Sequence, residues 1–227
     1  FKFNYMPYNS KENLLNIKKL DFYYNEENYL IKNISFSIKK TDKICVIGKN
    51  GKGKSTLLKL ITKDLLPKSG EVIMHQKTEF GYFGQMNIDR LKPNNSVYQE
   101  IQSYVPELEE TKVRRVCGNM MFSSKLSSKQ IKVLSGGEKS RVMLGKILLK
   151  PANLLMLDEP TNHLDLDSCE SLLEAIKSFD GAVMMVTHDE YFLKEIANKL
   201  IVFDDNKVSV FEGSYEDFLS KVGWKDE

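Results

Sequence analysis

Cysteine is scarce and scattered. Cys45, Cys117 and Cys169 form no close pair, and only three histidines accompany them. That leaves neither a disulfide framework nor a paired-cysteine zinc site as a reading. Long apolar runs are also missing, since no stretch reaches the roughly eighteen residues needed to cross a bilayer as a helix. Charge of one sign is absent in bulk: 33 Lys and Arg stand against 31 Asp and Glu. Net charge therefore argues neither for nor against a nucleic-acid partner. No internal repeat, low-complexity tract or signal-peptide pattern is visible, and the chain opens on Phe1-Lys2-Phe3 rather than on methionine. The expectation is a cytoplasmic protein and a piece of a longer chain. At 227 residues, 41% of them hydrophobic and 28% charged, it is long enough for one large core.

Against those absences stands one dense motif, Gly48-Lys49-Asn50-Gly51-Lys52-Gly53-Lys54-Ser55-Thr56. It follows the apolar stretch Ile44-Cys45-Val46-Ile47 and precedes Leu57-Leu58-Lys59-Leu60-Ile61. A strand, a glycine loop with G-x-x-x-x-G-K-[ST] spacing and a helix, in that order, make a triphosphate cradle. Gly48, Gly51 and Gly53 permit a backbone path on which several N–H groups converge, and Asn50 belongs to the same loop. Lys54 is expected to reach the outer phosphates, Ser55 to place its hydroxyl on Mg2+, and Thr56 to help close the loop. Lys49 and Lys52 are read as exposed solubilising lysines, with phosphate contact as the alternative. Cys45, inside the strand, is read as a small core residue.

The rest of the chain divides by pattern. Leu20–Tyr24 and Leu30–Ile38 alternate apolar and polar residues, as antiparallel strands with one wet face do. Pro67-Lys68-Ser69-Gly70 is a turn, with candidate strands Glu71–Met74 and Phe80–Phe83 around it. Between Val97 and Val133 the segments become polar and helix-length, which implies a small helical subdomain. Continuous apolar runs then return at Leu154–Leu157, Val183–Val186 and Leu200–Phe203, separated by helical stretches at Asp165–Phe179 and Tyr191–Ala197. Such runs suit a parallel sheet covered on both faces. Val208–Phe211 reads as an edge strand, followed by a helix capped by Ser214 with Asp217 three residues on.

Chemistry gathers at the ends of these runs. Leu154–Leu157 delivers Asp158 and Glu159 to a strand end, where parallel sheets collect their ligands. Asp158 is expected to hold Mg2+ and Glu159 to polarise the attacking water. His188, after Val183–Thr187, has two ring nitrogens with which to meet the γ-phosphate or orient that water. Gln85 offers a neutral amide to Mg2+ or to the water. Leu134-Ser135-Gly136-Gly137-Glu138 is a second anion-binding design without a P-loop lysine, with a hydroxyl and free N–H groups at a helix start. Two phosphate-binding surfaces but one P-loop suggest that each completes a site on another such domain, head to tail.

Together these strings resemble the ATP-binding cassette superfamily over nearly all of the chain, and its ABC-F branch in particular. The branch resemblance rests on Leu134–Arg141, Asp158-Glu159-Pro160-Thr161-Asn162-His163-Leu164-Asp165 and Phe211–Phe218. It implies an α/β P-loop NTPase fold with a RecA-like parallel-sheet core, an antiparallel β subdomain and a small helical subdomain. In residues, the whole of 1–227 would be one cassette: 1–42 and 68–84 mainly the antiparallel subdomain, 43–66 and 150–227 mainly the core, and 86–149 mainly the helical insert. The resemblance implies two ATP molecules sandwiched between two cassettes, each held by one P-loop and by Ser135, Gly136 and Gly137 of the other. It implies adenine stacking on Tyr24, with Phe22 and Tyr23 as neighbours in register, and a second cassette as partner, in the same full-length chain or as a transient homodimer. It also implies the ribosome, with its rRNA and tRNA, as a target. Asp165 falls in a loop placed across the interface. Asn162 and His163 shape that loop or, for Asn162, cap the next helix. The plain insert and the opening and closing segments fit a second cassette. A nucleotide-binding subunit serving a membrane transporter shares the same phosphate chemistry and is the alternative, as is a nucleotide-gated binding module in which hydrolysis is incidental.

Overall fold

Each apolar run becomes a strand whose alternate residues enter different cores, which explains why the runs are continuous rather than alternating. The computed structural model describes residues 2–26, 28–162, 164–204 and 207–223, with the side chain of Met86 excepted. In chain order the elements begin with β1 (Leu15–Asn25), β2 (Asn28–Ile38), β3 (Lys43–Gly48), α1 (Lys54–Ile61), β4 (Ser69–Met74) and β5 (Phe80–Phe83). The helical stretch holds α2 (Gln85–Asp89), α3 (Val97–Gln102), α4 (Glu110–Asn119) and α5 (Gly136–Leu149). Then come β6 (Leu154–Asp158), α6 (Leu166–Lys177), β7 (Ala182–Val186), α7 (Glu190–Ile196), β8 (Lys199–Asp204), β9 (Lys207–Glu212) and α8 (Tyr215–Lys221).

Among the described residues the strands make a three-stranded sheet ordered β2-β1-β4 and a six-stranded one ordered β5-β6-β7-β3-β8-β9. The first is antiparallel throughout. In the second all neighbours are parallel except the edge pair β8 and β9. Ile44, Val46, Met156, Met184 and Ile201 share one core with Leu57 and Leu58 of α1 and the inner face of the small sheet. Cys45, Ile47, Leu155, Leu157 and Met185 point the other way, into a core with α5, α6, α7 and α8. Each fully buried leucine of this kind contributes about 1.5–3 kcal/mol. Cys45 is a core residue, and burial pushes its thiol up to about 12.

One strand sits elsewhere than its sequence neighbourhood suggests. Phe80–Phe83, expected with the antiparallel subdomain at 68–84, pairs in parallel with Leu154–Leu157 and forms an edge of the large sheet. Asn153 steers it there, its side chain accepting from the Glu79 N–H at 3.0 Å and donating to the Lys77 carbonyl at 2.9 Å. Gln85 thereby starts a short helix beside the end of β6.

Several helix starts are set by side-chain capping, though α1, α2 and α4 have no side-chain cap. Ser96, Ser135 and Ser214 each form a reciprocal box with the residue three positions on, so the Ser214–Asp217 expectation holds. Asp165 caps α6 through the Ser168 N–H at 2.8 Å. Asn162 is therefore not the cap of that helix.

Candidate active site

The P-loop follows β3 directly, and its shape depends on the strand beside it. Gly48 has φ of 137°, and a Cβ there would lie 2.2 Å from the Phe203 carbonyl oxygen of β8. Gly51, at φ of 78°, has nothing within 4 Å of where a Cβ would stand, so its requirement is the left-handed backbone of the open tip. Gly53 ends the loop as the residue before α1.

Lys54 is 6% exposed and donates to the carbonyls of Gly48 at 2.7 Å and Lys49 at 2.9 Å. Burial lowers its pKa, opposed by Glu159 and then Asp158. The ammonium is thus held inside the loop with two carboxylates nearby. Ser55 Oγ donates to Asp158 Oδ1 at 3.0 Å, joining the start of α1 to the end of β6. Asp158 is raised chiefly by burial, and the Ser55 hydrogen bond pulls it back. Thr56 is buried at the base of the loop.

Glu159 occupies an unusual backbone state, φ of 48°, with its N–H donating to the Val186 carbonyl of β7 at 2.9 Å. A non-glycine residue in this region is strained, and such strain collects where side-chain aim matters. Burial raises the Glu159 pKa, Lys54 lowers it, and Asp158 raises it again. His188 Nε2 lies 3.4 Å from Glu159 Oε1 and 2.8 Å from Asn50 Oδ1. Burial, then Lys54, holds the imidazole below the usual histidine range, favouring its neutral form. One ring nitrogen therefore ties the tip of the P-loop to the carboxylate after β6.

Ser55, Phe83, Gln85, Ile88, Asp158, Glu159 and Asn162 line a cleft of about 220 Å³ beside these groups. Gln85 reaches it from the first position of α2, but its amide donates to Asp89 Oδ1 at 3.0 Å, within its own helix. Among the described residues no three acids, histidines or cysteines form a metal cage. Mg2+ does not require one, because it takes one or two protein oxygens and leaves the rest to phosphate and water. The hard-oxygen pair of Ser55 and Asp158 fits that pattern.

The remaining expected residues lie apart from this cluster. Ser135 caps α5, its Oγ accepting from the Glu138 N–H at 3.2 Å while Glu138 accepts from the Ser135 N–H at 2.8 Å. Ser135 and Gly136 are exposed, Gly137 is half-buried, and none of them lines the cleft beside the P-loop. Of the three neighbouring aromatics in β1, Phe22 is buried and Tyr23 packs on Tyr29 with Lys68 5.1 Å above it. Tyr24 is 68% exposed, and its ring meets Phe22 edge-on. Asp165 is held below the usual carboxylate range by its Ser168 hydrogen bonds. His163 lies outside the described residues. Phe83 and Ile88 join the cleft without any sequence expectation, because nothing in the sequence distinguishes their apolar side chains from core.

A P-loop fed by a parallel strand, a carboxylate pair at the end of another strand of the same sheet and a helical subdomain define a P-loop NTPase. The family model described as "ABC transporter" matches residues 31–162, more than half of the chain. The chain belongs to the ABC-family P-loop ATPases, domains that bind and hydrolyse ATP. The mouse "ATP-binding cassette sub-family F member 3" is 36% identical over 90% of this chain and 29% of its own length. The "Probable ATP-binding protein YbiT" of Escherichia coli O157:H7 is 37% identical over 86% of this chain and 37% of its own. "ABC transporter F family member 5" of Arabidopsis thaliana is 37% identical over 93% of this chain and 31% of its own. The chain thus spans about a third of the length of these curated relatives. Among solved structures, an ATP-bound bacterial Atm1-family ABC exporter aligns with a TM-score of 0.80 at 19% identity, over 98% of this chain and 42% of that one. A dimeric ATP-binding cassette bound to ADP and Pi aligns at 0.73 and 20%, over 87% of this chain and 98% of that one. No helix among the described residues is long and apolar enough to cross a membrane.

Proposed function

We propose that this cassette holds MgATP on its own P-loop and hydrolyses it when a second cassette closes over it head to tail. The observation that carries the reading is the separation of two phosphate-binding surfaces. Lys54, Ser55, Asp158, Glu159 and His188 converge, whereas Ser135 and Gly136 stand exposed, the Ser135 Oγ accepting in the cap while its own hydroxyl proton goes to no acceptor among the described residues. A group that serves no nucleotide of its own chain is free to serve another's.

In this reading Gly48, Asn50, Gly51, Gly53, Lys54, Ser55 and Thr56 hold the phosphates, and Tyr24 supplies the open ring for adenine. Ser55 and Asp158, with Gln85 once its amide swings from Asp89, would hold Mg2+, which supplies charge neutralisation on the phosphate oxygens when bound. Glu159 orients the attacking water and takes its proton. Its strained backbone fixes the carboxylate, and its raised pKa makes it a better base than an ordinary glutamate. His188, neutral and already bonded to Asn50, holds water and loop tip in register. Ser135, Gly136 and Gly137 of the partner cassette close the opposite side.

On the output side we assign the ribosome, with its rRNA and tRNA, and a cytoplasmic second cassette of a longer chain, on the resemblance to the ABC-F branch. Co-sedimentation of the full-length protein with ribosomes, with hydrolysis blocked, tests that assignment, and absence from the ribosomal pellet defeats it. For the chemistry, Glu159→Gln is expected to keep ATP affinity within about twofold while turnover falls roughly 10²- to 10⁴-fold. The same variant is expected to elute as a nucleotide-locked pair in size-exclusion chromatography. Turnover equal to the parent's removes Glu159 from the role of base.

A further inference from the structure

One buried side-chain donor among the described residues lacks an acceptor, the Nε–H of Arg141 on α5. The side chain is half-buried, with its guanidinium 5.7 Å from the centre of the Phe122 ring. That ring face attracts the charge but offers little to the N–H groups, which lie in the guanidinium plane. A donor shut away from water without a partner lowers stability, and native structures keep few such groups. Where one persists, a contact made in another state of the protein is a physical reason for keeping it.

The surroundings of Arg141 identify the missing acceptor. Two carboxylates, both of them in helix caps, feel its charge. Glu138, three residues earlier on α5, closes the Ser135 box and has Lys129 4.0 Å away. Asp165 opens α6 and accepts from the Ser168 N–H at 2.8 Å. Capping hydrogen bonds hold both carboxyls low. Lys129 and then Arg141 add to the effect on Glu138, whereas on Asp165 the added cation is Arg141. Asp165 is exposed and has no ion-pair partner among the described residues, so a carboxylate without a cation stands near a cation without an acceptor. The two belong to different parts of the machinery. Arg141 lies on the helix that the Ser135 turn starts, and Asp165 ends the loop that leaves Glu159 after β6.

We propose that Arg141 is a positioning residue for hydrolysis: on closure of the head-to-tail pair its guanidinium takes the Asp165 carboxylate and fastens the helix behind Ser135 to the loop behind Glu159. The role rests on the closure proposed above, which brings one cassette's Ser135 turn onto the other's nucleotide. Each chain then ties the nucleotide it holds to the one it covers. Because the charge-assisted contact forms only as the site closes, it favours turnover and leaves nucleotide binding by the single chain untouched. The flat guanidinium fork suits a carboxylate in a way that a lysine ammonium does not.

The test measures ATP turnover, ATP affinity and Tm of the 227-residue chain and its variants. Arg141→Met keeps the length of the side chain and its packing on Phe122 while removing the charge and the donors. Its turnover is expected to fall about tenfold with affinity within about twofold of the parent's. Its Tm is expected to match or exceed the parent's, because the unpaired buried donor is gone. Asp165→Asn, which keeps a capping side chain, is expected to lose turnover by a similar factor, and the double variant to lose no more than either single one. Arg141→Lys is expected to recover about a third of the parent rate. Parent turnover in Arg141→Met, a Tm that falls together with its turnover, or losses that multiply in the double variant each overturn the coupling. Ser135→Arg, run alongside, separates the two proposals. If it abolishes hydrolysis while Arg141→Met does not, the coupling alone fails, whereas hydrolysis that survives Ser135→Arg defeats head-to-tail closure and the coupling with it.

Discussion

Two glycine-rich turns in this chain open helices, and they solve different problems with similar letters. At Gly48–Thr56 the loop is pinned from outside: β8 presses on Gly48, Asp158 takes the Ser55 hydroxyl, and His188 holds Asn50. At Leu134–Glu138 the turn is satisfied from within, Ser135 and Glu138 capping each other, and its face is open. The first turn is a site assembled by tertiary structure, with carboxylates from the end of β6 and an imidazole from just after β7. The second has donors but no reacting group near it. In the proposed head-to-tail pair, each turn would gain what it lacks.

The sharpest way to break that comparison is to load the second turn. Ser135→Arg puts a bulky cation on an exposed surface without touching the P-loop. Nucleotide affinity of the isolated domain, measured by titration, is expected to stay within about twofold, while hydrolysis by the pair falls by roughly 10²-fold or more. Hydrolysis per molecule by the parent is expected to rise with protein concentration, since the proposed closure needs a second copy. An affinity loss matching that of Lys54→Ala means that Ser135 serves its own molecule's nucleotide, and the two turns are then one site.

A smaller effect distinguishes how the turns are held. Gly48→Ala places a methyl 2.2 Å from a backbone oxygen at φ of 137°. It is expected to destabilise the fold by about 3 kcal/mol, read from urea unfolding. Gly136→Ala, at the start of α5 with nothing within 4 Å of the added methyl, is expected to leave stability unchanged or raise it by up to about 1 kcal/mol. Equal losses at both positions would mean that the first turn is not braced by β8.

What can be read from the chain follows the same division between local and tertiary causes. The P-loop, the Asp158–Glu159 pair and the Ser214 cap are legible because their chemistry is set by spacing within a few residues. The parallel strands are legible because both faces of Leu154–Leu157 and Val183–Val186 must be apolar. The sheet that Phe80–Phe83 joins is not legible, since Asn153, more than seventy residues on, decides it. Nor is the cap of α6, where Asp165 competes with Asn162 and wins by its position three residues before Ser168. Of the three aromatics at 22–24, alternation alone leaves the register open, because β1 carries irregularities in its pairing with β2. Only the fold exposes Tyr24. The strained φ of Glu159 and its shared contact with His188 have no local signature at all.

The mildest prediction concerns the energetic cost of the assembled turn. Burial raises the pKa of both Asp158 and Glu159 in the folded chain. A carboxyl with a raised folded pKa binds its proton more tightly folded than unfolded. Its contribution to stability is therefore full below the unfolded value and is lost as pH rises through the folded one. Ionising either carboxylate in the folded chain therefore opposes folding. Glu159→Gln removes the charge while keeping the shape and the φ of 48° strain common to both proteins. In the nucleotide-free protein its Tm is expected to exceed the parent's by about 2 °C at neutral pH. The gap is expected to close on acidification through the Glu159 range, as the parent becomes protonated at the same position. Scanning calorimetry across that range measures it. A gap that widens towards acid would mean that Lys54 and the His188 N–H stabilise the Glu159 charge by more than burial penalises it, and the first turn would then be relaxed rather than poised.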